Sequence, residues 1–105
     1  MRKNEEAIAQ LEMLGHDSDQ WTMRSSETIR KNIRAGLANA IDLVKATDEI
    51  RQAEQDICRL TEVIISTAQP NRRQAVSDLQ DKIAAMIKLL ECAEPSDKAR
   101  NLGLG

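Results

Sequence analysis

The sequence predicts an all-α fold: a helical bundle built on a long antiparallel helical hairpin, with a short N-terminal helix packed on it. Three observations carry this. Glycine and proline number only four and two in 105 residues, and all but Gly36 fall between apolar-periodic stretches. Ile, Leu, Val and Met recur at spacings of three and four along most of the chain. Pro70 separates two such stripes with a tight turn's worth of residues, which folds one helix back on the other.

The first helix is expected over residues 4–14. Asn4 has the chemistry of an N-cap, and Glu5 and Glu6 suit the positive end of a helix dipole. Ile8, Leu11 and Leu14 share one face, and Gly15 is placed to end the helix in the left-handed conformation. So short a helix must be held by packing rather than propensity.

Residues 16–24 carry two helix-start signals. Asp17 with Gln20 three residues on has the spacing of a capping box, and Ser25 and Ser26 precede Glu27. We read a loop or single turn around Trp21, with the main helix beginning near Ser26. Trp21, the one aromatic residue, reads first as a core anchor pinning the first helix to the others. Its alternative role is a partner-facing hot spot, where tryptophan is enriched.

Residues 26–68 contain no proline. Ile29, Ile33, Leu37, Ile41 and Val44 form one stripe; Leu43, Ala46, Ile50, Ala53, Ile57, Leu60, Ile64 and Thr67 form a second, offset near residues 43–47. The offset is either a stutter in one helix or a break, because Thr47, Asp48 and Glu49 resemble a helix start. Unbroken, about forty residues would run roughly 60 Å at 1.5 Å per residue. The last long helix is expected from about Asn71 to Ala93, with Val76, Leu79, Ile83, Met86, Leu90 and Ala93 on its stripe and Ile87 and Leu89 widening it. Pro95 ends it. The organisation expected is therefore one helical domain, residues 1–95, and a flexible C-terminal tail, residues 96–105, that holds at most one frayed turn.

Composition narrows the function. Hydrophobic residues make up 41%, but with one Trp and no Phe or Tyr the core is thin, and self-association would supply the missing buried area. A net charge of −2 with 30% charged residues gives no global basic footprint for nucleic acid. No apolar run reaches the roughly 18 residues of a membrane span, and the basic start MRKNEEAIAQ lacks an apolar signal core, so a cytoplasmic protein is expected. Cys58 and Cys92 stand in no C-x-x-C pair and His16 is the sole histidine, so no zinc site assembles in one chain. In the hairpin the two thiols lie about ten residues apart in level, roughly 15 Å, which excludes a disulfide there.

Catalytic apparatus and cofactor motifs are not expected. Neighbouring carboxylates such as Glu5–Glu6 and Asp48–Glu49 diverge on a helix, hydroxyl and thiol nucleophiles lack a base, and glycine-rich phosphate loops are absent. The candidate contact residues are Trp21 and the basic cluster Arg24, Arg30, Lys31 and Arg34 at the start of the long helix, beside Ser25, Ser26 and Thr28. A helix-turn-helix would use such residues on DNA, but its turn takes three or four residues and residues 16–24 are too many. The cluster also reads as a solvated face with a Glu27–Lys31 pair. Acidic residues prevail further along, at Asp48, Glu49, Glu54, Asp56 and Glu62, so the basic and acidic halves suit antiparallel self-association. The expected function is a non-enzymatic protein–protein interaction module, an inhibitor, adaptor or assembly subunit acting as a homodimer. A small DNA-binding regulator is the alternative. Short helical chains of this look are common among phage and mobile-element products that block or adapt host machinery, a likeness of appearance that names no residue.

Overall fold

The structure is a computed structural model that describes residues 4–103, the side chain of Gln69 excepted. Five α-helices make it: α1 (Glu5–Asp17), α2 (Ser26–Asp42), α3 (Asp48–Ser66), α4 (Arg72–Cys92) and α5 (Asp97–Asn101). Two 3₁₀ segments, Ser18–Met23 and Gln69–Asn71, lead into α2 and α4. Among the described residues there is no β-strand. The fold is the all-α bundle the apolar periodicity predicts.

Its arrangement differs from a long hairpin with an appended helix. α1 packs on α2 and α4, and α3 packs on the same two, so four helices close a ring around one core. Of the two readings of residues 26–68, the break is the one found: they form two helices. Thr47 caps α3, its hydroxyl accepting from the Ile50 amide at 3.2 Å. The longest dimension of the molecule is 43 Å, shorter than the roughly 60 Å an unbroken arm would need.

No glycine or proline interrupts residues 43–47; what holds them out of a helix is the far end of the chain. The Lys45 amide donates to the Glu94 carbonyl at 2.8 Å, and the Ser96 amide donates to the Leu43 carbonyl at 3.1 Å. Val44 and Pro95 form a single antiparallel bridge between these bonds. Backbone groups that a helix would have paired internally are thus satisfied across the fold. Residues 97–101, expected within a tail or frayed turn, form α5. The Ser96 hydroxyl accepts from the Ala99 amide at its start and donates to the Asp42 carbonyl, and Ala99 is buried.

Gly15 does not end α1. It lies within the helix, which runs on to Asp17. The Ser18 hydroxyl donates to the Gly15 carbonyl at 2.6 Å and accepts from Gln80 of α4 at 2.8 Å, so the last turn is tied down without a left-handed residue. The Asp17–Gln20 capping box does not form, since Asp17 makes no capping bond. The 3₁₀ turn after it swings Trp21 into the core.

The core follows the predicted stripes closely. Ile29, Ile33 and Leu37 of α2, Ile50, Ile57 and Ile64 of α3, and Val76, Leu79, Ile83, Met86 and Leu90 of α4 are all buried. The other half of the α3 stripe, Ala46, Ala53 and Leu60, is only partly buried, as are Ile41, Ile87 and Leu89. α3 turns one edge to its neighbours and leaves the other at the surface.

Candidate interaction surfaces

The five contact residues expected from the sequence do not form one surface. Trp21 is 1% exposed and sits in the core cluster, so a partner-facing role for it is corrected: the intact fold presents none of its ring. Arg24, before α2, donates to Gln20 at 2.6 Å. Arg30 holds Glu62 of α3 in a two-pronged grip, Nε to Oε1 at 3.0 Å and a terminal nitrogen to Oε2 at 2.9 Å. That grip lowers the Glu62 carboxyl below its ordinary range, first through the hydrogen bond, and raises the Arg30 guanidinium. Lys31 and Arg34 are exposed. Two of the hydroxyls beside the cluster meet at the cap of α2: Ser25 accepts from the Thr28 amide at 3.2 Å and donates to its hydroxyl at 2.8 Å. One arginine of the cluster is thus neutralised within the chain.

Between α2 and α3 lies a cleft of about 180 Å³ lined by Arg30, Ile33, Arg34, Cys58, Thr61 and Glu62. Burial pushes the Cys58 thiol above its usual range, with Glu54 adding to the rise and Arg34 opposing it. A thiol held protonated is a poor nucleophile. The Thr61 hydroxyl is committed to the Ile57 carbonyl at 2.7 Å. Among the described residues no group of three His, Cys, Asp or Glu side chains could hold a metal ion.

The second concavity is a shallow groove of about 570 Å³ between α3 and α4. Ala53, Ala85 and Leu89 give it an apolar floor, and Asp48, Glu49 and Asp56 an acidic rim. Lys82 reaches across it to Asp56 at 3.8 Å. This pair also fixes the register: a turn at Pro70 pairs residues whose numbers sum to about 139, and Asp56 with Lys82 meets that within one residue. On the same stripe of α3, Asp56 accepts from Gln52 and from Arg59, both at 3.2 Å, and Val63 is 43% exposed. From the sequence, Asp48, Glu49 and Asp56 of this rim stood out only as part of an acidic half suited to antiparallel self-association. The other signal available was the widened apolar stripe, of which Leu89 lines this groove.

Buried polar groups elsewhere are structural. Arg72 is 7% exposed and donates to three backbone carbonyls, those of Thr67 at 2.9 Å and of Arg24 and Ile65 at 3.4 Å. It closes the C-terminal turn of α3 and ties down the start of α2.

No described helix is long and apolar enough to cross a membrane. Set against protein-family models, curated proteins and solved structures, the chain matches none.

Proposed function

We propose that this chain is a non-enzymatic protein–protein interaction module, an inhibitor, adaptor or assembly subunit of the cytoplasm, and that it docks its partner along the α3–α4 face. The observation that carries this reading is the groove itself. Its apolar floor of Ala53, Ala85 and Leu89 stays open while the facing sides of the same helices are buried, and charged side chains rim it. An apolar strip with a polar border between two helices is the form in which a partner helix is received. Capture of partners from an extract of the source cells tests it. Ala85→Arg places a long cation on the floor without touching the core, so a specifically captured protein should be lost from that variant and kept by one altered on α1.

A second reading is a small nucleic-acid binder using Arg24, Lys31 and Arg34. Their exposure supports it. The commitment of Arg30 to Glu62 counts against it, because a phosphate would compete with a carboxylate already gripped at two points. An electrophoretic shift across a salt series separates the readings: affinity for nucleic acid falls steeply with salt as counterions are released.

A further inference from the structure

We infer that the strap formed by residues 94–96 governs a second state of this chain, in which α2 and α3 join into one helix and two copies exchange their α3–α4 halves. The inference concerns the break between α2 and α3 and is independent of what the α3–α4 groove receives.

The break is held by competition for backbone groups. Residues 43–47 contain no glycine or proline, and three of the five, Leu43, Lys45 and Ala46, are strong helix formers. The apolar spacing of three and four runs through them, from Leu43 and Ala46 to Ile50 and Ala53. The Lys45 amide has one hydrogen to donate. It goes to the Glu94 carbonyl, whereas a continuous helix would give it to Ile41. The Ser96 amide and hydroxyl occupy the carbonyls of Leu43 and Asp42, which in that helix would accept from Thr47 and Ala46. In the broken form the amides of Ala46, Thr47, Asp48 and Glu49 take no backbone partner among the described residues. Joining the helices pairs all four.

A joined helix carries α3 away from α2 of its own chain, because the two can no longer fold back on each other. The α2 face on which Arg30 grips Glu62 is then refilled by α3 of a second copy, and the exchange is reciprocal. α3 and α4 travel together, held by their shared core and by the Asp56–Lys82 pair. Every helix packing of the compact form is rebuilt between chains. The two states therefore differ only at residues 43–47, at the strap and in the cost of association, so protein concentration shifts the balance. Short connections invite such an exchange.

Refolding at high protein concentration followed by dilution tests the inference, with sedimentation to read mass and circular dichroism to establish folding. Part of the parent should sediment at twice the chain mass. Ala46→Pro should abolish that species, because proline breaks a continuous helix yet removes no bond of the strap. Ala46→Gly should lower its share, and decides the matter if the proline variant fails to fold. Ser96→Ala frees the Asp42 carbonyl of the compact form and should raise the share severalfold. The exchange itself is read from Arg30→Glu and Glu62→Arg. Each alone sets like charges together wherever α2 meets α3. Refolded as a mixture, the exchanged heterodimer restores an opposite pair at both crossings and should exceed the homodimers by about tenfold. A dimer formed through outer surfaces restores neither. A parent that refolds only to monomer, a dimer share unmoved by the changes at Ala46 or by Ser96→Ala, or a heterodimer at chance proportion overturns the inference.

Discussion

The side chain of Asn4, just ahead of α1, donates to the carbonyl of Leu90 near the end of α4 at 2.8 Å, and its second amide hydrogen goes to the carbonyl of Ala93 at 2.7 Å. Asn4 is 7% exposed and holds a left-handed backbone, φ 61°, a conformation that asparagine tolerates and most residues resist. One residue therefore helps close the C-terminus of α4, satisfying the Ala93 carbonyl and giving the Leu90 carbonyl a second donor beside the Ala93 amide at 3.2 Å. Its own side-chain oxygen is buried without a partner among the described residues, so the two donated bonds must outweigh that cost.

Asn4→Ala should destabilise the fold by roughly 1–3 kcal/mol, because it orphans the buried Ala93 carbonyl and removes the short polar side chain that makes the left-handed conformation tolerable. Asn4→Gly should cost less, because it removes the bonds but not the backbone freedom. Thermal unfolding checks this, at about 4–8 °C per kcal/mol for a domain near this size. Equal midpoints for the two variants would show that backbone conformation contributes nothing here.

Gly15 gives the opposite sign. It lies in the body of α1, and a Cβ placed there would meet the Ile83 methyl at 3.7 Å, ordinary contact. Gly15→Ala should stabilise the protein by about 0.5–1 kcal/mol through the lost freedom of the unfolded chain. At Gly36 the same change brings a Cβ to 3.4 Å from two Leu14 methyls, so its gain should be smaller. Denaturant midpoints of the two variants, compared at constant slope, decide the order. On the other side of that contact, Ile83 is 2% exposed, and Ile83→Ala should cost about 2–5 kcal/mol as a buried large-to-small change.

These positions show what was legible in the sequence. Periodicity identified the core of α2 and α4 almost residue by residue, and Ile50, Ile57 and Ile64 of α3 but not which half of its stripe stays open, since spacing at three and four is a local signal. Thr47 as a helix start was legible as one of two readings, and the contacts that decide it come from residues 94–96, far away in sequence. Gly15 misled because a glycine after an apolar run is the usual sign of a helix end; Ser18 and Gln80, which carry the helix past it, are distant from each other in the chain. Asn4 was recognised as the residue before α1, but its side chain serves α4 instead. The α3–α4 face was visible as a stripe too wide for a single seam and as an acidic lean at Asp48, Glu49 and Asp56. Which half of α3 stays open depends on how four helices close their ring.

Arg72 should not tolerate lysine. Its fork reaches three carbonyls on two segments, while an ammonium on a flexible stem cannot span them. Arg72→Lys should lower the thermal midpoint by several degrees, roughly 1–2 kcal/mol for bonds lost in a buried site. A midpoint equal to the parent's would show that a single positive charge suffices there.

Glu62 reports the Arg30 grip through pH. Its folded carboxyl titrates below its ordinary range, so whatever stability the pair gives is present above the unfolded value and is lost as pH falls through the folded one. Both side chains are about half exposed, so the sign rather than the size carries the test. Carbon NMR of the Glu62 carboxyl should show its midpoint move up in Arg30→Ala. An unmoved midpoint would mean that the two-pronged contact does not persist in solution.

The basic cluster and the α3–α4 face rank one set of variants in opposite order. Docking on the groove makes binding insensitive to α2 and sensitive to Ala85 and Leu89. Contact with nucleic acid spreads the energy over Arg24, Lys31 and Arg34 in salt-dependent steps. Trp21→Ala cannot separate the two, because Trp21 is buried and its removal should cost about 3–5 kcal/mol of stability whatever the protein binds. Arg30→Ala with Lys31→Ala can, since both side chains lie at the surface and their loss should leave folding almost unchanged. Removing Arg30 also frees Glu62, which adds a negative charge to the α2–α3 cleft and makes the change harsher for a phosphate than for a protein partner docked elsewhere. Under the groove reading the double variant keeps its melting midpoint and loses at most about tenfold in partner affinity, roughly 1.4 kcal/mol. A loss of about a hundredfold with unchanged melting, disappearing at high salt, would transfer the function from the groove to the basic cluster.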